Sequence, residues 1–121
     1  MEDYKNIRIS VDADLIIDDI QKRFCLSTKV SVMRFALAYA LRDFRDEIDF
    51  DTLDNQYEKN GTNQNTGTID DPNLIFKTLI TTLFPECETP YKYARVGIIY
   101  GLTKIKEKMD ENPSFSLVDL M

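Results

Sequence analysis

A chain of 121 residues and 14.1 kDa is long enough for one hydrophobic core but not for two independent ones. Hydrophobic residues make up 43% and charged residues 30%, which is typical of a folded globular domain and not of a disordered chain. The net charge of −6 disfavours tight binding to phosphate, and the absence of His removes the usual general base and the commonest metal ligand.

The first predicted element is a short strand that leads into a helix. Residues 6–12 alternate between polar and apolar side chains, which is the pattern of a half-buried strand. Either Asp12 or Asp14 is expected to cap the helix that follows, because a short carboxylate accepts the free amides of a first turn. This helix extends to about Phe24.

The second predicted helix begins after Ser27 or Thr28 as its cap and continues to about Ile48. Its apolar side chains cover well over half of its circumference, so it is expected to be buried on more than one face. One four-helix unit is not expected to cover so much apolar surface, and we therefore predict a homo-oligomer. If the N-terminal strand pairs with that of a second copy, the oligomer contains an intermolecular antiparallel ribbon.

The central segment, residues 49–71, is predicted to be an acidic polar loop. Residues 46–71 carry a net charge of −7, whereas residues 1–45 carry +1 and residues 72–121 are neutral. Within the segment, residues 60–68 contain Asn, Gly, Thr and Gln without apolar periodicity, which predicts an exposed, mobile loop. The aspartates lack the spacing of a calcium-binding loop, so no metal site is predicted there.

Two further helices are predicted after the loop. Pro72 opens the third helix and Pro85 ends it, because proline fits a first helical turn but not a helix interior. Pro90 opens the fourth helix and Pro113 ends it. The single predicted domain, 1–121, thus comprises a strand with the first helix pair (1–48), the loop (49–71), the second helix pair (72–112) and a tail expected to dock on the core (113–121).

The two predicted helix pairs resemble each other. Residues 27–41 can be aligned with residues 88–102 so that Thr, Arg, Tyr and Leu coincide, which predicts two pseudo-repeated helix-turn-helix units packed face to face. The alignment makes Arg34 and Arg95 equivalent. Each lies in an apolar stretch, so we favour a bond to a carbonyl or carboxylate over a phosphate contact. Glycines at 97 and 101 predict a close helix crossing in a soluble core.

The alternating strand Ile7–Asp12, the acidic helix start, the turn at Leu26-Ser27 and the helix segment Arg34-Phe35-Ala36-Leu37 together resemble ribbon-helix-helix proteins. The longer layout adds Thr28 after that turn, an intervening acidic segment and a final helix with Arg95-Val96-Gly97 and Gly101-Leu102. Within that group it resembles the DndE family of DNA phosphorothioation proteins, which act in phage defence. The resemblance covers most of the chain, although Cys25 stands where the family's turn tends to have Gly and lysines are scarce. It implies a mainly α fold with a short N-terminal strand followed by four helices.

Three functions are considered. The resemblance implies a non-catalytic accessory protein that oligomerises and binds nicked or duplex DNA beside other proteins of a DNA-modification complex. The alternatives are a ribbon-helix-helix repressor or antitoxin and an acidic protein-interaction module that does not bind DNA. If DNA is bound, the polar strand face is expected to contact bases, and first-turn lysines are expected to contact phosphates. The predicted contacts are Asn6, Arg8 and Ser10 on the strand face, Lys29 in the second helix and Lys92 in the fourth.

The remaining expectations concern chemistry and location. The sequence contains no phosphate loop, nucleophile elbow or metal-ligand cluster, so we expect no catalytic residue, no cofactor and no metal. There is no apolar leader behind the N-terminus and no apolar run of about 18 residues. We therefore expect a cytoplasmic protein that does not enter a membrane, with Cys25 and Cys87 reduced.

Overall fold

The computed structural model describes residues 6–26, 28–59, 63–65 and 75–116, and the chain is mainly helical over these residues, as predicted. None of the described helices is by itself long and apolar enough to cross a membrane; among them only the pair Val11–Phe24 and Lys29–Asp43, bent by 101°, meets that length and composition together. The described elements are β1 (Asn6–Arg8), α1 (Val11–Phe24), α2 (Lys29–Asp43), a 3-10 turn (Arg45–Glu47), α3 (Phe50–Gln56), β2 (Asn63–Asn65), α4 (Ile75–Leu83) and α5 (Pro90–Glu111).

Strand β1 pairs with a strand of the same chain. Its three residues run antiparallel to β2, with Arg8 opposite Asn63. Ile7 and Ile9 are buried and Arg8 is exposed, which confirms the predicted alternation as far as Ile9. Because β2 occupies one edge of β1, that edge does not form the intermolecular ribbon considered from the sequence.

The strand is shorter than predicted because the first helix begins earlier. Ser10 caps α1: its hydroxyl oxygen accepts a hydrogen bond from the amide of Ala13 at 3.1 Å. The prediction that Asp12 or Asp14 caps this helix is therefore wrong. Both carboxylates lie in the first turn of α1, where their negative charge interacts favourably with the positive end of the helix dipole.

The turn between α1 and α2 lies where it was predicted. α1 ends at Phe24, and Cys25 adopts a left-handed conformation with φ of 56° that closes the helix. Thr28 caps α2 by accepting a hydrogen bond from the amide of Ser31 at 3.1 Å. Ser27, the other predicted cap, lies outside the described residues.

Helix α2 ends at Asp43 and not near Ile48 as predicted. Phe44 and Ile48 continue the apolar spacing of the helix, but a 3-10 turn separates them. The ring of Phe44 packs edge-on against Tyr39, with centroids 5.3 Å apart, and also against Tyr100 of α5. Helix α2 therefore ends where Phe44 contacts α5, and the apolar periodicity of the sequence does not reveal this end.

Helix α5 lies at the centre of the fold and packs against α1, α2, α3, α4 and β1. It approaches α2 closely at Gly101, where a Cβ would lie 2.1 Å from the carbonyl oxygen of Ala36. The predicted close crossing is confirmed. The inward face of α2, including Met33 and Leu37, is buried within one chain, and the predicted homo-oligomer stays a prediction.

The central acidic segment is not entirely a loop. Asp49 caps α3 through the amide of Thr52, and Phe50 and Asp54 of this helix are buried. The predicted mobile loop, residues 60–68, lies outside the described residues except for 63–65, which form β2. Tertiary contacts with α5 order α3, and the sequence-based prediction of a loop from 49 to 71 was wrong for this part.

The second helix pair agrees with the predicted proline boundaries where they are described. α4 ends at Leu83, two residues before Pro85, and α5 begins at Pro90 and ends shortly before Pro113. The predicted start of the third helix at Pro72 lies outside the described residues. Phe115 of the tail is buried, while residues 117–121 are not described. The internal pseudo-repeat stays a prediction.

Candidate functional site

Arg8 is an exposed cation on the strand face from which DNA contacts were predicted. In sequence it lies between the buried residues Ile7 and Ile9, so its side chain is on the opposite, solvent-facing side, and it forms no ion pair within the described part of the chain. The backbone of Asn6 belongs to β1, and its side chain is not described. β1 therefore presents Arg8 to solvent, in agreement with its predicted place.

Ser10 has a structural task. Its hydroxyl oxygen caps α1, so a contact between this hydroxyl and a DNA base would have to share the oxygen with the amide of Ala13. Replacing a capping serine by alanine typically costs about 1 kcal/mol of stability. Weaker DNA binding by a Ser10→Ala variant would therefore reflect the destabilised start of α1 as well as any lost base contact.

Lys29 lies in the first turn of α2, as predicted, but it faces an acidic neighbour. Its Nζ is 3.5 Å from Oδ1 of Asp14 in α1, and the two side chains are 34% and 16% exposed. A phosphate bound at the start of α2 would replace this partner and would meet the negative charge of Asp14 at close range. The ion pair thus reduces the positive potential that this helix end offers to DNA.

Lys92 takes the corresponding place in α5 and is held more closely. Its Nζ lies 2.7 Å from Oδ1 of Asp51 in α3, and its side chain is only 17% exposed. Asp51 belongs to the acidic segment that was expected to repel phosphate. Lys29 therefore contacts α1 and Lys92 contacts α3, so the two lysines have acidic partners on different elements.

Arg95 is a buried cation that joins three parts of the fold. It is 0% exposed. Its guanidinium donates to the carbonyl of Arg8 at 2.7 Å, to the carboxylate of Asp54 at 3.0 Å and to the carbonyl of Asp54 at 3.3 Å. It also donates to the carbonyls of Tyr57 and Glu58 at 2.7 and 2.8 Å. The prediction that protein carbonyls and a carboxylate, not phosphate, satisfy this arginine is confirmed.

Arg34 does not match Arg95 in this respect. It is half-buried in α2, and its buried Nε has no hydrogen-bond partner in the structure. The predicted bond to a carbonyl or carboxylate is therefore missing at this nitrogen. The two arginines that the internal alignment equates have different surroundings.

An aromatic cluster beside α3 was missed by the sequence analysis. The rings of Phe50 and Tyr93 stack with centroids 4.3 Å apart and an interplanar angle of 4°, and Phe84 packs edge-on against both. Burial raises the pKa of Tyr93, and the nearby Cys87 and Asp51 add to that effect. The helical spacing of Phe50, Leu53 and Tyr57 was the one local signal in this segment, but a helix of only seven residues depends on tertiary contacts for its stability.

Within the described ranges, no three His, Cys, Asp or Glu side chains are grouped so that they could hold a metal ion. No family model matches the chain, and no curated protein or solved structure does so either.

Proposed function

We propose that this protein is a non-catalytic accessory protein of a DNA phosphorothioation system, similar to the DndE family. The observation that carries the proposal is the contact between the two motifs on which the resemblance depends. The segment Arg34–Leu37 and the segment Arg95–Leu102 pack directly on each other, with Gly101 over the carbonyl of Ala36 and a Cβ on Gly97 only 2.6 Å from Leu37. The residues that carry the resemblance thus share one structural role.

The same contact favours an accessory protein over a simple ribbon-helix-helix repressor. α5 is the central helix of the fold, and Arg95 within it binds the carbonyl of Arg8 in β1. The second half of the chain is therefore integral to the fold, whereas a minimal dimeric repressor consists of a strand and two helices. In addition, one edge of β1 is already paired with β2.

The protein would act in the cytoplasm through contacts with DNA, with other proteins of the modification complex, and with further copies of itself. Val11 and Leu15 are 44% and 58% exposed and lie one turn apart on α1, which offers a small apolar patch for a second copy. For DNA, Arg8 offers an exposed cation that has no ion pair among the described residues, while Lys29 is shared with Asp14. We expect modest affinity that decreases steeply with salt.

The role in DNA modification can be tested by replacement. A phosphorothioation gene cluster in which this chain takes the place of the resident DndE-family protein should produce phosphorothioate linkages, measured by mass spectrometry of digested DNA. The cluster with that gene deleted is the control. Unmodified DNA in cells that contain the folded chain and active sulfur-transfer enzymes would refute the proposed role.

DNA binding can be tested separately by gel retardation of intact, nicked and single-stranded DNA at two salt concentrations. Arg8→Ala or Lys29→Ala should weaken binding by about 1–3 kcal/mol for a specific contact and by less for a phosphate contact alone. Lys77→Ala, which removes an exposed lysine of α4, is the matched control.

A second candidate, an interaction module that does not bind DNA, is favoured by the ion pairs of Lys29 and Lys92. This candidate would be supported if the protein retards no form of DNA at low salt but restores phosphorothioation in the gene-replacement experiment. The protein would then serve the modification complex through protein contacts alone.

A further inference from the structure

A groove lies at the turn between α4 and α5. It has a volume of about 450 Å³ and is open to solvent on one side. Its floor is aromatic, because Phe84 and Tyr93 belong to the stacked cluster that includes Phe50 of α3. The lining residues are Leu83, Phe84, Pro85, Glu86, Cys87 and Tyr93.

The groove offers apolar surface that the described residues leave exposed. Leu83 is 38% exposed and is one of three large hydrophobic side chains among the described residues with so much exposure. Phe84, Cys87 and Tyr93 are half-buried, so their outer faces contact solvent. Exposed leucine and aromatic side chains that line a concave surface are typical of sites that receive an apolar side chain of another protein.

The rim of the groove is acidic. Glu86 lines it and is exposed, and Asp49 and Asp51 are close enough to Tyr93 to raise the pKa of its phenol. The carboxylate of Asp51 is 73% exposed, whereas the lysine that pairs with it, Lys92, is only 17% exposed. The carboxylates of Glu86 and Asp51 are therefore more accessible to solvent than the ammonium group of Lys92.

We propose that this α4–α5 groove binds a cationic segment of a partner protein, in which an aromatic or aliphatic side chain fills the groove and neighbouring Arg or Lys side chains meet Glu86 and Asp51. The rim repels nucleic acid because it is negative. It also disfavours a second copy of this chain, which carries a net charge of −6. The proposal does not depend on the role in DNA modification.

The test selects peptides of about 12 residues from a random displayed library on the folded full-length chain. We expect enrichment of peptides that combine at least one Phe, Tyr, Trp or Leu with several Arg or Lys. Enriched peptides are then labelled with fluorescein, and their affinity is measured by anisotropy at about 50 mM and about 300 mM NaCl. Affinity should be lower at the higher salt concentration because the proposed charge contacts are exposed.

Two groove variants and two matched controls locate the binding. Leu83→Ser removes apolar surface and Glu86→Lys reverses a charge, and each should weaken peptide binding by about tenfold. Ala38→Ser and Glu111→Lys introduce a hydroxyl and reverse a charge at exposed positions outside the groove and should leave the affinity unchanged. Glu111 lies at the opposite end of α5, about 30 Å from the groove.

Three results would overturn the proposal. The selection yields no binder, it enriches acidic peptides, or the groove variants leave peptide binding unchanged. A self-association that Leu83→Ser abolishes, measured by sedimentation equilibrium, would mean that a second copy occupies the groove. None of these results bears on phosphorothioation by the replaced gene cluster, so the two proposals fail separately.

Discussion

Gly101 lets α5 approach the backbone of α2 so closely at Ala36 that not even a Cβ atom fits at this point. A Cβ at this position would lie 2.1 Å from the carbonyl oxygen of Ala36 and 2.7 Å from its carbonyl carbon. Both of these atoms belong to the backbone of α2, which cannot rotate away as a side chain can. We predict that Gly101→Ala destabilises the protein although alanine is the better helix former.

The magnitude follows from two opposing effects. Alanine gains about 1 kcal/mol over glycine in a helix interior. An ordinary contact of about 3.4 Å would require the two helices to separate locally by about 1.3 Å, which opens gaps in a close-packed core. Overpacking against atoms that cannot move costs about 3 kcal/mol. The net loss in the free energy of unfolding should be about 2 kcal/mol.

Gly97→Ala is the matched control, one turn earlier in the same helix. Its new Cβ would lie 2.6 Å from Cδ1 of Leu37, the end of a side chain. A change of the Leu37 rotamer costs about 1 kcal/mol, which the helix propensity of alanine offsets. We therefore expect Gly97→Ala to remain within about 1 kcal/mol of the wild type.

The assay is urea unfolding followed by far-ultraviolet circular dichroism, with the free energy extrapolated linearly to water. Equal m-values in the three proteins would show that the midpoints can be compared directly. If Gly101→Ala proves as stable as Gly97→Ala or more so, the backbone contact at Ala36 does not limit the helix crossing, and the argument is wrong.

Three further predictions concern stability. Arg95→Met should lower the free energy of unfolding by about 3–5 kcal/mol, because it removes the cation that faces the buried Asp54. Adding Asp54→Leu should recover part of this loss in urea unfolding. A single variant as stable as the wild type would contradict the expectation. The hydroxyl and amide of Thr52 hold the pKa of Asp49 below its ordinary value. Its contribution to stability is therefore present above about pH 4, the unfolded pKa, and is lost as the pH falls through the lower folded pKa. Asp49→Ala should flatten the decline of Tm with acid, and an unchanged decline would count against the cap. Cys25→Gly should raise the stability by about 0.5 kcal/mol, because φ of 56° strains every residue except glycine, and a lower urea midpoint would disprove this.

The predicted DNA-contact residues show how far sequence reasoning extends at a site. It correctly placed Lys29 and Lys92 in first helical turns and Arg8 on the polar face of a strand. It did not find their partners, because Asp14 and Asp51 lie far from these lysines in sequence. A cation's neighbours determine how strongly it attracts phosphate, and those neighbours depend on how the helices pack.

The sequence analysis also missed the aromatic cluster beside α3, because its members come together only through the packing of the helices. Phe50, Phe84 and Tyr93 come from α3, from the turn after α4 and from α5, and no local pattern links them. Phe50 also lies in a segment whose acidic composition indicated a loop. The packing of three rings in one place is a property of the packed fold.

The amino-acid sequence by itself determined the elements whose signals are local. Prolines set the boundaries of α5, the turn after Phe24 separates α1 from α2, and glycines at 97 and 101 marked the close crossing. Only the tertiary structure decided that the acidic segment folds into α3, because five hydrogen bonds from the buried Arg95 join β1 to α3 and the residues that follow it. Burying a guanidinium is unfavourable unless all of its donors are satisfied, so the ordering of α3 depends on a residue about 40 positions away in the chain.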